Sequence, residues 1–449
     1  MFRVRRSEIR RSIKEHGLTM LGVGHVDFTG VPRMKPATSG ELDRLLDEGI
    51  KTSRANFAFT HNDGAVRGAS MNISQGDLAV VADPDTFVIP NYTNGIGRFL
   101  GDVHEKDGTV SKLCTRSFYR RILERASSKG YRFFVGFEGE FHLVRREEGK
   151  VVRIDNFFTH SQDGFNVYHE FISDLVGALR SVNIETTKGH VEGGRGQLEF
   201  DIKHQEGIKP ADDIVYFKDA TKAVARKHGY IASFMPKIGH DWWGSGMHLH
   251  MSLADASGRN LFDDPKDRRM GLSQTAYHFT GGILRHLPAL SAVAAPMPNS
   301  YKRMLPGKWN ADAMVYGAGA RGAAVRVPDE RGKSTRLECR FPDGTMNPYL
   351  TLGCILACGL DGIEKKLDPG RPLTIDLSFM SDREIREKGF RLMPRSLSEA
   401  IAAFEKDDLL RESMGSLMFD EYVRNKEQEV AQMADKVTQY EVDNILDLY

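Results

Sequence analysis

Strand-like and helix-like segments follow one another along this chain without a regular alternation. Helical patterns of unequal length separate short segments with the two-residue periodicity of strands, at residues 133–143, 197–202, 248–253 and 334–340. A doubly wound parallel sheet requires a repeating strand, helix, strand order. The sequence therefore predicts the α+β class.

The first hundred residues predict a small domain built mostly from strands. Residues 20–28 have a strand pattern, Thr29 and Gly30 carry a turn signal, and residues 31–34 provide a return strand. Two further apolar runs lie between turn residues, at 78–81 and 86–89. We expect a hairpin followed by additional strands.

The chain is too long for one ordinary hydrophobic core. Its 449 residues are enough for a large domain and a smaller one. A polar, turn-rich stretch at residues 101–108 precedes a helical pattern at 111–129, and we place the domain boundary there. The predicted domains are residues 1–104 and 105–449.

Three segments carry clear helix signals. Ile9 and Ile13, four residues apart, predict an amphipathic first helix. The segment that begins at Pro348 is apolar almost all round, and proline suits the first helical position, so this segment predicts a buried helix. Ser396 and Glu399 have the spacing of a capping box and predict the start of a C-terminal helical hairpin.

The overall composition excludes several classes of protein. Lys and Arg number 62 against 61 Asp and Glu, and 40% of the residues are apolar, which fits neither a disordered chain nor a basic nucleic-acid binder. The four cysteines form no CxxC pair, so neither a disulfide scaffold nor a cysteine-rich zinc site is expected. No apolar segment is long enough to span a membrane. We expect a cytoplasmic protein that binds neither membranes nor nucleic acid.

Glu138 and Glu140 lie two residues apart in the strand-like segment 133–143. Alternate residues of a strand share a face, so both carboxylates should point to the same side. Two like charges so close repel one another, and a divalent cation or a bound base is the usual remedy. An exposed strand face with acidic residues is the alternative.

Two further segments bring potential ligands together. Three glycines lie between Glu192 and Glu199, and a tight turn there can return the two carboxylates to one point. His248 and His250 follow a glycine-rich turn and occupy one strand face, which suits metal ligation or contact with phosphate. A surface hairpin and structural histidines are the respective alternatives.

Arginines are frequent between residues 302 and 340. They are Arg303, Arg321, Arg326, Arg331, Arg336 and Arg340. The guanidinium group is forked and pairs with phosphate and carboxylate, so several arginines at one site would suit a polyphosphate substrate and a developing acyl phosphate. A solvated basic surface is the alternative, but Glu338 shares a strand face with Arg340, which argues against it.

The order of these motifs resembles that of the glutamine synthetase family. Glu-x-Glu, Glu-x6-Glu and His-x-His are followed by Asn299-Ser-Tyr-Lys-Arg-Met-Leu-Pro-Gly307, Arg336-Leu-Glu-Cys-Arg-Phe-Pro-Asp343 and Asn347-Pro-Tyr349. The resemblance extends from the N-terminal hairpin to the closing Lys-Val-Thr-Gln-Tyr-Glu-Val segment. It implies a β-grasp N-terminal domain and a catalytic domain with a curved antiparallel sheet flanked by helices. It also implies a homo-oligomer, in hexameric rings or dodecamers, with active sites between subunits.

The resemblance further implies an ATP-dependent ligase. ATP would phosphorylate the side-chain carboxylate of glutamate or a close analogue, and an amine would then attack the acyl phosphate. The implied ligands are mostly hard oxygen donors, which suit two divalent ions, Mg²⁺ or Mn²⁺. By motif position, one ion would be held by Glu140, Glu192 and Glu199, and the other by Glu138, His248 and Glu338.

Other site residues follow from the same match. Arg303 corresponds to the position that holds the substrate α-carboxylate, Gly244 to a backbone contact with the amino acid, and Arg340 to the position beside the reacting carboxylate. Asp63 falls near the acid that meets ammonium from the neighbouring subunit, although an Asp-Gly turn explains Asp63-Gly64 almost as well. Contacts with ATP or its phosphates are implied for His250, Ser252, Arg321, Arg326 and Arg336. The implied catalytic residues are Arg321, Arg340 and Asp63.

The chain departs from the family at the implied acceptor pocket. Trp309 replaces the loop glutamate that takes a proton from ammonium in glutamine synthetases, and Trp243 replaces an asparagine. An indole cannot act as that base, but it offers an apolar face to an alkyl or aryl amine. We therefore expect both tryptophans in the substrate site of a γ-glutamyl amide ligase that uses an amine other than ammonia. The alternatives are an ammonia-using glutamine synthetase and, less favoured, a catalytically silent relative.

Overall fold

The computed structural model describes residues 6–304, 310–377 and 380–446. Trp309 lies outside these ranges. Within them, the chain forms two sheets, of five and nine strands. Helices and strands do not alternate regularly, so the predicted α+β class is confirmed.

The N-terminal part forms the five-stranded sheet with two helices. Its elements are α1 (Arg6–Glu15), β1 (Met20–Val26), β2 (Pro32–Thr38), α2 (Leu42–Asp47), β3 (Ile50–Ser53), β4 (Asp77–Ala82) and β5 (Ile96–His104). The strand order is β2-β1-β5-β4-β3, with β1 and β5 parallel and the other neighbours antiparallel. Ile9 of α1 and Leu45 of α2 are fully buried in one core with Leu21 and Phe99, which fixes both helices on the sheet. The predicted amphipathic first helix is confirmed.

The predicted N-terminal hairpin is also confirmed, with a longer return strand. β1 and β2 pair from Met20 opposite Thr38 to Val26 opposite Pro32. The strand predicted at residues 86–89 is wrong, because Pro84–Thr86 form a 3-10 turn and only Val88 makes a bridge, with Arg98. Asp83 caps this turn by accepting a hydrogen bond from the Asp85 N–H, a local bond that competes with strand pairing.

Nine strands form the second sheet. They are β6 (Arg132–Glu147), β7 (Lys150–Arg153), β8 (Thr186–Val191), β9 (Gln197–Glu206), β10 (Ile231–Ser233), β11 (Met247–Ala254), β12 (Ala313–Ala318), β13 (Ala323–Val327) and β14 (Leu337–Cys339). The order is β12-β13-β14-β11-β6-β9-β8, and β7 and β10 also pair with β6. All described pairs are antiparallel except β12 with β13. The four strand segments predicted from periodicity all lie in this sheet, although the last is shortened to β14.

Helices pack around the second sheet and follow it at the C-terminus. They are α3 (Thr115–Ser128), α4 (Gln162–Ser181), α5 (Lys209–Lys227), α6 (Gln274–Ala294), α7 (Ser300–Arg303), α8 (Pro348–Lys365), α9 (Asp382–Glu387), α10 (Leu397–Phe404), α11 (Asp408–Met414), α12 (Ser416–Ala434) and α13 (Gln439–Ile445). Among the described residues, no helix combines the length and the apolarity needed to cross a bilayer. The four cysteines are buried free thiols, as their spacing predicted.

The predicted buried helix is α8, which packs tightly on α6. The Asn347 side chain caps its first turn by accepting hydrogen bonds from the N–H groups of Tyr349 and Leu350. A Cβ atom on Gly362 would lie 2.1 Å from the His278 carbonyl oxygen of α6, so glycine is needed where the two backbones touch. At α10, Ser396 accepts from the Glu399 N–H as predicted, whereas the Glu399 carboxylate accepts from Arg395, one residue before the capping-box position.

Candidate active site

The central strand β6 has two chemically different faces. Phe137 and Phe141 pack against Phe217 of α5, with ring centroids 5.5 and 6.2 Å apart. Glu138 and Glu140 alternate with these rings and face a polar cavity on the other side of the sheet. The predicted shared face of the two glutamates is therefore observed.

The register of the second sheet brings further polar residues beside these two glutamates. Residues directly opposite one another on antiparallel strands have Cβ atoms about 5 Å apart, so pairing alone gathers their side chains. The pairs are Glu138 with His248, Glu140 with Glu199, His190 with Glu199, His250 with Glu338, and Arg326 with Glu338.

The cavity on this face has a volume of about 360 Å³ and a strongly polar lining. Its wall contains five carboxylates, four cationic side chains, three histidines and one tryptophan. The lining residues are Glu138, Glu140, Glu192, Glu199, Asp201, Lys188, Arg321, Arg326, Arg340, His160, His190, His248, Trp243, Thr159, Gln197, Gly244 and Asn310. Five of the six predicted metal ligands are in this wall, and the sixth, Glu338, is fully buried behind it.

Glu138 lies between two imidazoles. Its Oε2 is 3.1 Å from His248 Nδ1 and its Oε1 is 2.8 Å from His250 Nε2. Burial opposes ionisation of this carboxyl, but the hydrogen bonds and positive potential of both histidines outweigh burial and lower its pKa. Glu138 is therefore a carboxylate that is ready to bind a cation.

Glu338 is held by two arginines at the base of the cavity. Arg340 Nη1 donates to Glu338 Oε1 at 2.5 Å, and Arg326 Nε donates to the other oxygen. His248 Nδ1 lies 3.6 Å from Glu338 Oε1. Burial acts against ionisation, but Arg340, followed by His250 and His248, lowers the pKa of Glu338 to about 2. The predicted acid and base on one strand face thus form a buried ion pair.

The surroundings of Glu199 act in the opposite direction and disfavour its ionised form. Burial and then the negative potential of Glu140 and Glu138 raise its pKa to about 10. A divalent cation among these carboxylates would remove the repulsion that causes this shift. The residues present therefore fit hard cations such as Mg²⁺ or Mn²⁺.

Among these side chains, two groups of three residues have potential ligand atoms that lie within 4.8 Å of one another inside each group. One contains Glu138, Glu199 and His248, and the other contains Glu138, His250 and Glu338. The first group takes members of both sets that the resemblance implies, and the second adds His250 to two members of one set. The division of the six ligands between two ions therefore stays a prediction.

The glycine-rich turn after β8 brings Glu192 to the cavity and makes room for Trp243. The Glu192 carboxylate accepts a hydrogen bond from the Gly193 N–H. A Cβ atom on Gly193 would lie 2.9 Å from Trp243 Cζ3, so the indole ring passes close over the glycine backbone. Trp243 is half-buried and lines the cavity together with Glu192, and its place in an acceptor pocket stays a prediction.

Three of the predicted arginines line the cavity, whereas Arg303 is buried and is not part of its described lining. Arg321, Arg326 and Arg340 line the cavity, and Arg340 Nε donates to the Arg321 carbonyl at 3.1 Å. Arg303 is only 3% exposed and does not belong to the described lining. Its guanidinium donates to the carbonyl oxygens of Arg340, Phe341 and Pro342 at 2.9 to 3.3 Å. Its role in binding an α-carboxylate stays a prediction.

A groove of about 370 Å³ continues from the cavity along β11. The two spaces share Glu138, Lys188 and Asp201 in their walls. The groove contains three of the residues that the resemblance assigns to ATP, namely His250, Ser252 and Arg336. Arg336 Nε donates to His250 Nδ1 at 3.0 Å, which links the groove to the histidine that contacts Glu138.

Asp63 lies away from the cavity of its own chain. It has a positive φ of 60° in a turn closed by a hydrogen bond from the Thr60 N–H to the Gly64 carbonyl at 2.8 Å. Its carboxylate forms an ion pair with Arg33 Nη2 at 2.8 Å. The Asp-Gly turn is therefore present, and the role of Asp63 in a neighbouring subunit stays a prediction.

Sequence reasoning missed several residues of the cavity wall. Asp201 shares the inward face of β9 with Glu199, so strand alternation could have identified it. Gln197 Nε2 donates to Glu140 Oε2 at 3.2 Å and to the Gly244 carbonyl at 2.9 Å, and thereby joins β9 to the turn before β11. His160 lies in a loop, where no periodicity marks it.

Comparison with known proteins agrees with this geometry. A sequence model of the glutamine synthetase catalytic domain matches residues 112–445. The glutamine synthetase of Halobacterium salinarum is 32% identical over 448 residues, covering 97% of this chain and 95% of that protein. The glutamate–methylamine ligase of Methyloversatilis universalis is 32% identical over 456 residues, covering 99% of each chain. The solved structure of a GmaS/ADP complex has a TM-score of 0.87 at 30% identity, covering 97% of this chain and 99% of that one.

The family model covers the second sheet, and the matches to the full-length relatives and to the solved structure extend over both sheets. They confirm the predicted fold, in which a β-grasp N-terminal part precedes a curved antiparallel sheet flanked by helices. ATP and divalent metal ions are the family's cofactors, and the carboxylate-rich cavity suits the metal ions. The chain belongs to the glutamine synthetase family and is an ATP-dependent ligase that forms carbon–nitrogen bonds.

Proposed function

We propose that this ligase joins the side-chain carboxylate of glutamate, or of a close analogue, to an amine other than ammonia. The observation that carries the proposal is the indole of Trp243 in the cavity wall, packed over Gly193 and next to the carboxylate of Glu192. An ammonium ion needs polar or anionic groups around it, whereas an alkylamine also benefits from an apolar surface. A relative of equal identity is a glutamate–methylamine ligase, which supports the same direction.

The expected preference has a physical magnitude. Each methylene group buried against an indole contributes about 0.8 kcal/mol. A few such groups would favour a larger amine over ammonia by about one to two orders of magnitude in the specificity constant. The cationic form of the amine is also attracted to the face of an indole.

In this proposal, the groove at His250, Ser252 and Arg336 receives ATP. The γ-phosphate then points into the cavity, where Arg321, Arg326 and Arg340 stabilise the charge of the transferring phosphoryl group. When bound, divalent ions would supply charge neutralisation at the phosphates, and Glu138, Glu140, Glu192, Glu199, His248 and Glu338 would hold them. Arg303 and the Gly244 backbone hold the amino-acid substrate.

The reaction then proceeds in two steps. The substrate carboxylate takes the γ-phosphoryl group and releases ADP, which gives an acyl phosphate beside Arg340. The amine, as its free base, attacks the acyl carbon and expels phosphate, and the nitrogen loses a proton as the amide forms. In this proposal, the amine approaches from the side of the cavity that contains Trp243, and we expect Trp309 on the same side.

An ammonia-using glutamine synthetase is the second candidate. The equal identity to the Halobacterium enzyme and the carboxylates of Glu192 and Asp201 in the wall favour it, because acidic groups can hold ammonium. The two candidates share ATP, glutamate and metal, and they differ only in the acceptor.

An acceptor panel distinguishes them. ADP release would be measured with ATP, Mg²⁺ and glutamate, with ammonia, primary alkylamines, an arylamine and a diamine as acceptors, and the products would be identified by mass spectrometry. We expect at least one organic amine to have a higher kcat/KM than ammonia. If ammonia equals or exceeds every amine tried, the enzyme is a glutamine synthetase and the proposal is wrong.

A further inference from the structure

Two histidines at one end of the cavity have no part in the chemistry proposed above. His160 lies in the connection between β7 and α4, and His190 lies in β8. Their ring centroids are 4.9 Å apart, with an angle of 67° between the ring planes. Both rings line the cavity on the side of Glu192 and Trp243.

The two histidines and Glu192 converge on one point. One potential ligand atom from each of the three residues lies within 4.8 Å of the others. His190 Nε2 is 3.6 Å from Glu192 Oε1, which is longer than a good hydrogen bond. Two ligands at about 2.1 Å from a tetrahedral ion are roughly 3.4 Å apart, so this separation fits two ligands of one metal ion.

The backbone holds His160 in this position. Its N–H donates to the Val191 carbonyl at 2.9 Å, which ties the loop to the strand residue between His190 and Glu192. His160 also has a positive φ of 57°, a conformation that asparagine, aspartate and histidine adopt more often than other residues with a side chain. The hydrogen bond holds the loop beside β8, where the ring of His160 meets the ring of His190.

We propose that His160, His190 and Glu192 form a third metal site, which binds a borderline divalent transition-metal ion such as Zn²⁺ or Co²⁺. Two imidazoles and one carboxylate suit such ions, whereas Mg²⁺ prefers oxygen donors and gives up water reluctantly. The carboxylate of Glu192 has two oxygens, so it can bind this ion and also contribute to an ion that the other carboxylates of the cavity hold. Three protein ligands leave a coordination position open for water or a substrate atom.

Cobalt provides the direct test, because its visible absorption reports ligand type and geometry. The protein is first saturated with Mg²⁺ and then titrated with Co²⁺. We expect one equivalent per chain to give an intense visible band of a four- or five-coordinate ion that further Mg²⁺ does not displace. X-ray absorption at the cobalt edge should then show two imidazoles.

The variant His160→Asn tests the assignment, since asparagine tolerates the left-handed backbone but is a weak ligand. It should weaken Co²⁺ binding by about tenfold or more. His169→Asn, at an exposed histidine of α4, is the matched control and should bind as the wild type does. His190→Gln gives a second test if His160→Asn does not fold.

Three results would overturn the proposal. They are displacement of Co²⁺ by Mg²⁺, a cobalt spectrum with fewer than two imidazoles, and unchanged Co²⁺ affinity in the folded histidine variant.

Discussion

The two ends of the cavity are built in different ways. At one end (the strand end), which faces the groove that we propose receives ATP (the nucleotide groove), the acids and histidines lie with Arg326 on neighbouring strands, and the sheet register places them. At the other end, which we propose receives the amine (the acceptor end), His160, Trp243 and Asn310 come from three separate loops. The strand end carries charges that pair with one another, whereas the acceptor end combines an indole with imidazoles.

We propose that this difference separates phosphoryl transfer, which the family shares, from the choice of acceptor, which is specific to this enzyme. Phosphoryl transfer requires a fixed array of charges, and adjacent strands hold such an array to within a fraction of an ångström. Acceptor choice requires only a change in the shape and polarity of one wall, and loops accept such substitutions easily. We therefore expect mutations at the strand end to abolish activity and mutations at the acceptor end to change which amine the enzyme uses.

The largest expected effect is at Glu138. Glu138→Ala removes a carboxylate that contacts both His248 and His250, so it should abolish ATP-dependent turnover and leave the assembly intact. ADP release and light scattering measure the two outcomes. Glu206→Ala, in β9 with its carboxylate bound to Arg132 away from the cavity, is the control and should stay active. A Glu138→Ala enzyme with substantial turnover would contradict the role of the strand end.

The second prediction concerns assembly, since we propose ring oligomers in which Asp63 completes a neighbour's acceptor end. Asp63→Ala subunits alone should be inactive although their Glu138 is intact. Glu138→Ala subunits alone should be inactive although their Asp63 is intact. Random mixing of the two after dissociation should restore about a quarter of the wild-type activity, because one interface in four combines two intact halves. A fully active monomer, or no recovery in mixed rings, would contradict it.

The third prediction addresses Trp309, the other tryptophan that we expect at the acceptor end. Trp309→Glu restores the acid found in glutamine synthetases and should move the ratio of kcat/KM values for amine and ammonia toward ammonia by about tenfold. The KM for ATP should not change, because we expect residue 309 at the acceptor end and ATP in the groove at the strand end. An unchanged acceptor ratio would show that residue 309 does not select the acceptor.

The smallest effect is on stability at the strand end. Glu199→Gln removes a carboxyl that is buried among other carboxylates, so the metal-free protein should gain about 1 kcal/mol in unfolding free energy. Mg²⁺ should raise the melting temperature of the wild type and raise that of the variant less. Thermal melts with and without Mg²⁺ measure both effects, with Glu206→Gln as the control. If neither Mg²⁺ nor Mn²⁺ changes the melting temperature of the wild type, the result would contradict metal binding by these carboxylates.

How much the sequence could predict follows the same division. Strand alternation was enough to place Glu138 and Glu140 on one face, and motif order was enough to identify their partners on other strands. The same alternation contains Asp201, which was overlooked. His160 could not be found in this way, because a loop brings it to the cavity through a single backbone hydrogen bond to Val191. The failed strand at 86–89 has a similar cause, since a local turn at Asp83 overrides an apolar run.

The most direct test of the division is the variant Trp243→Asn, which restores the asparagine of the family at the acceptor wall. Wild type and variant would each be given one organic amine and ammonia together, and the two amide products would be quantified by mass spectrometry. Trp242→Phe, at the adjacent ring that contacts His142 and Arg153 and does not line the cavity, is the matched control. We expect Trp243→Asn to shift the ratio of the two products toward the ammonia product by about one to two orders of magnitude, with little change in the KM for ATP. A product ratio equal to that of the wild type, or a uniform loss of both products, would contradict it.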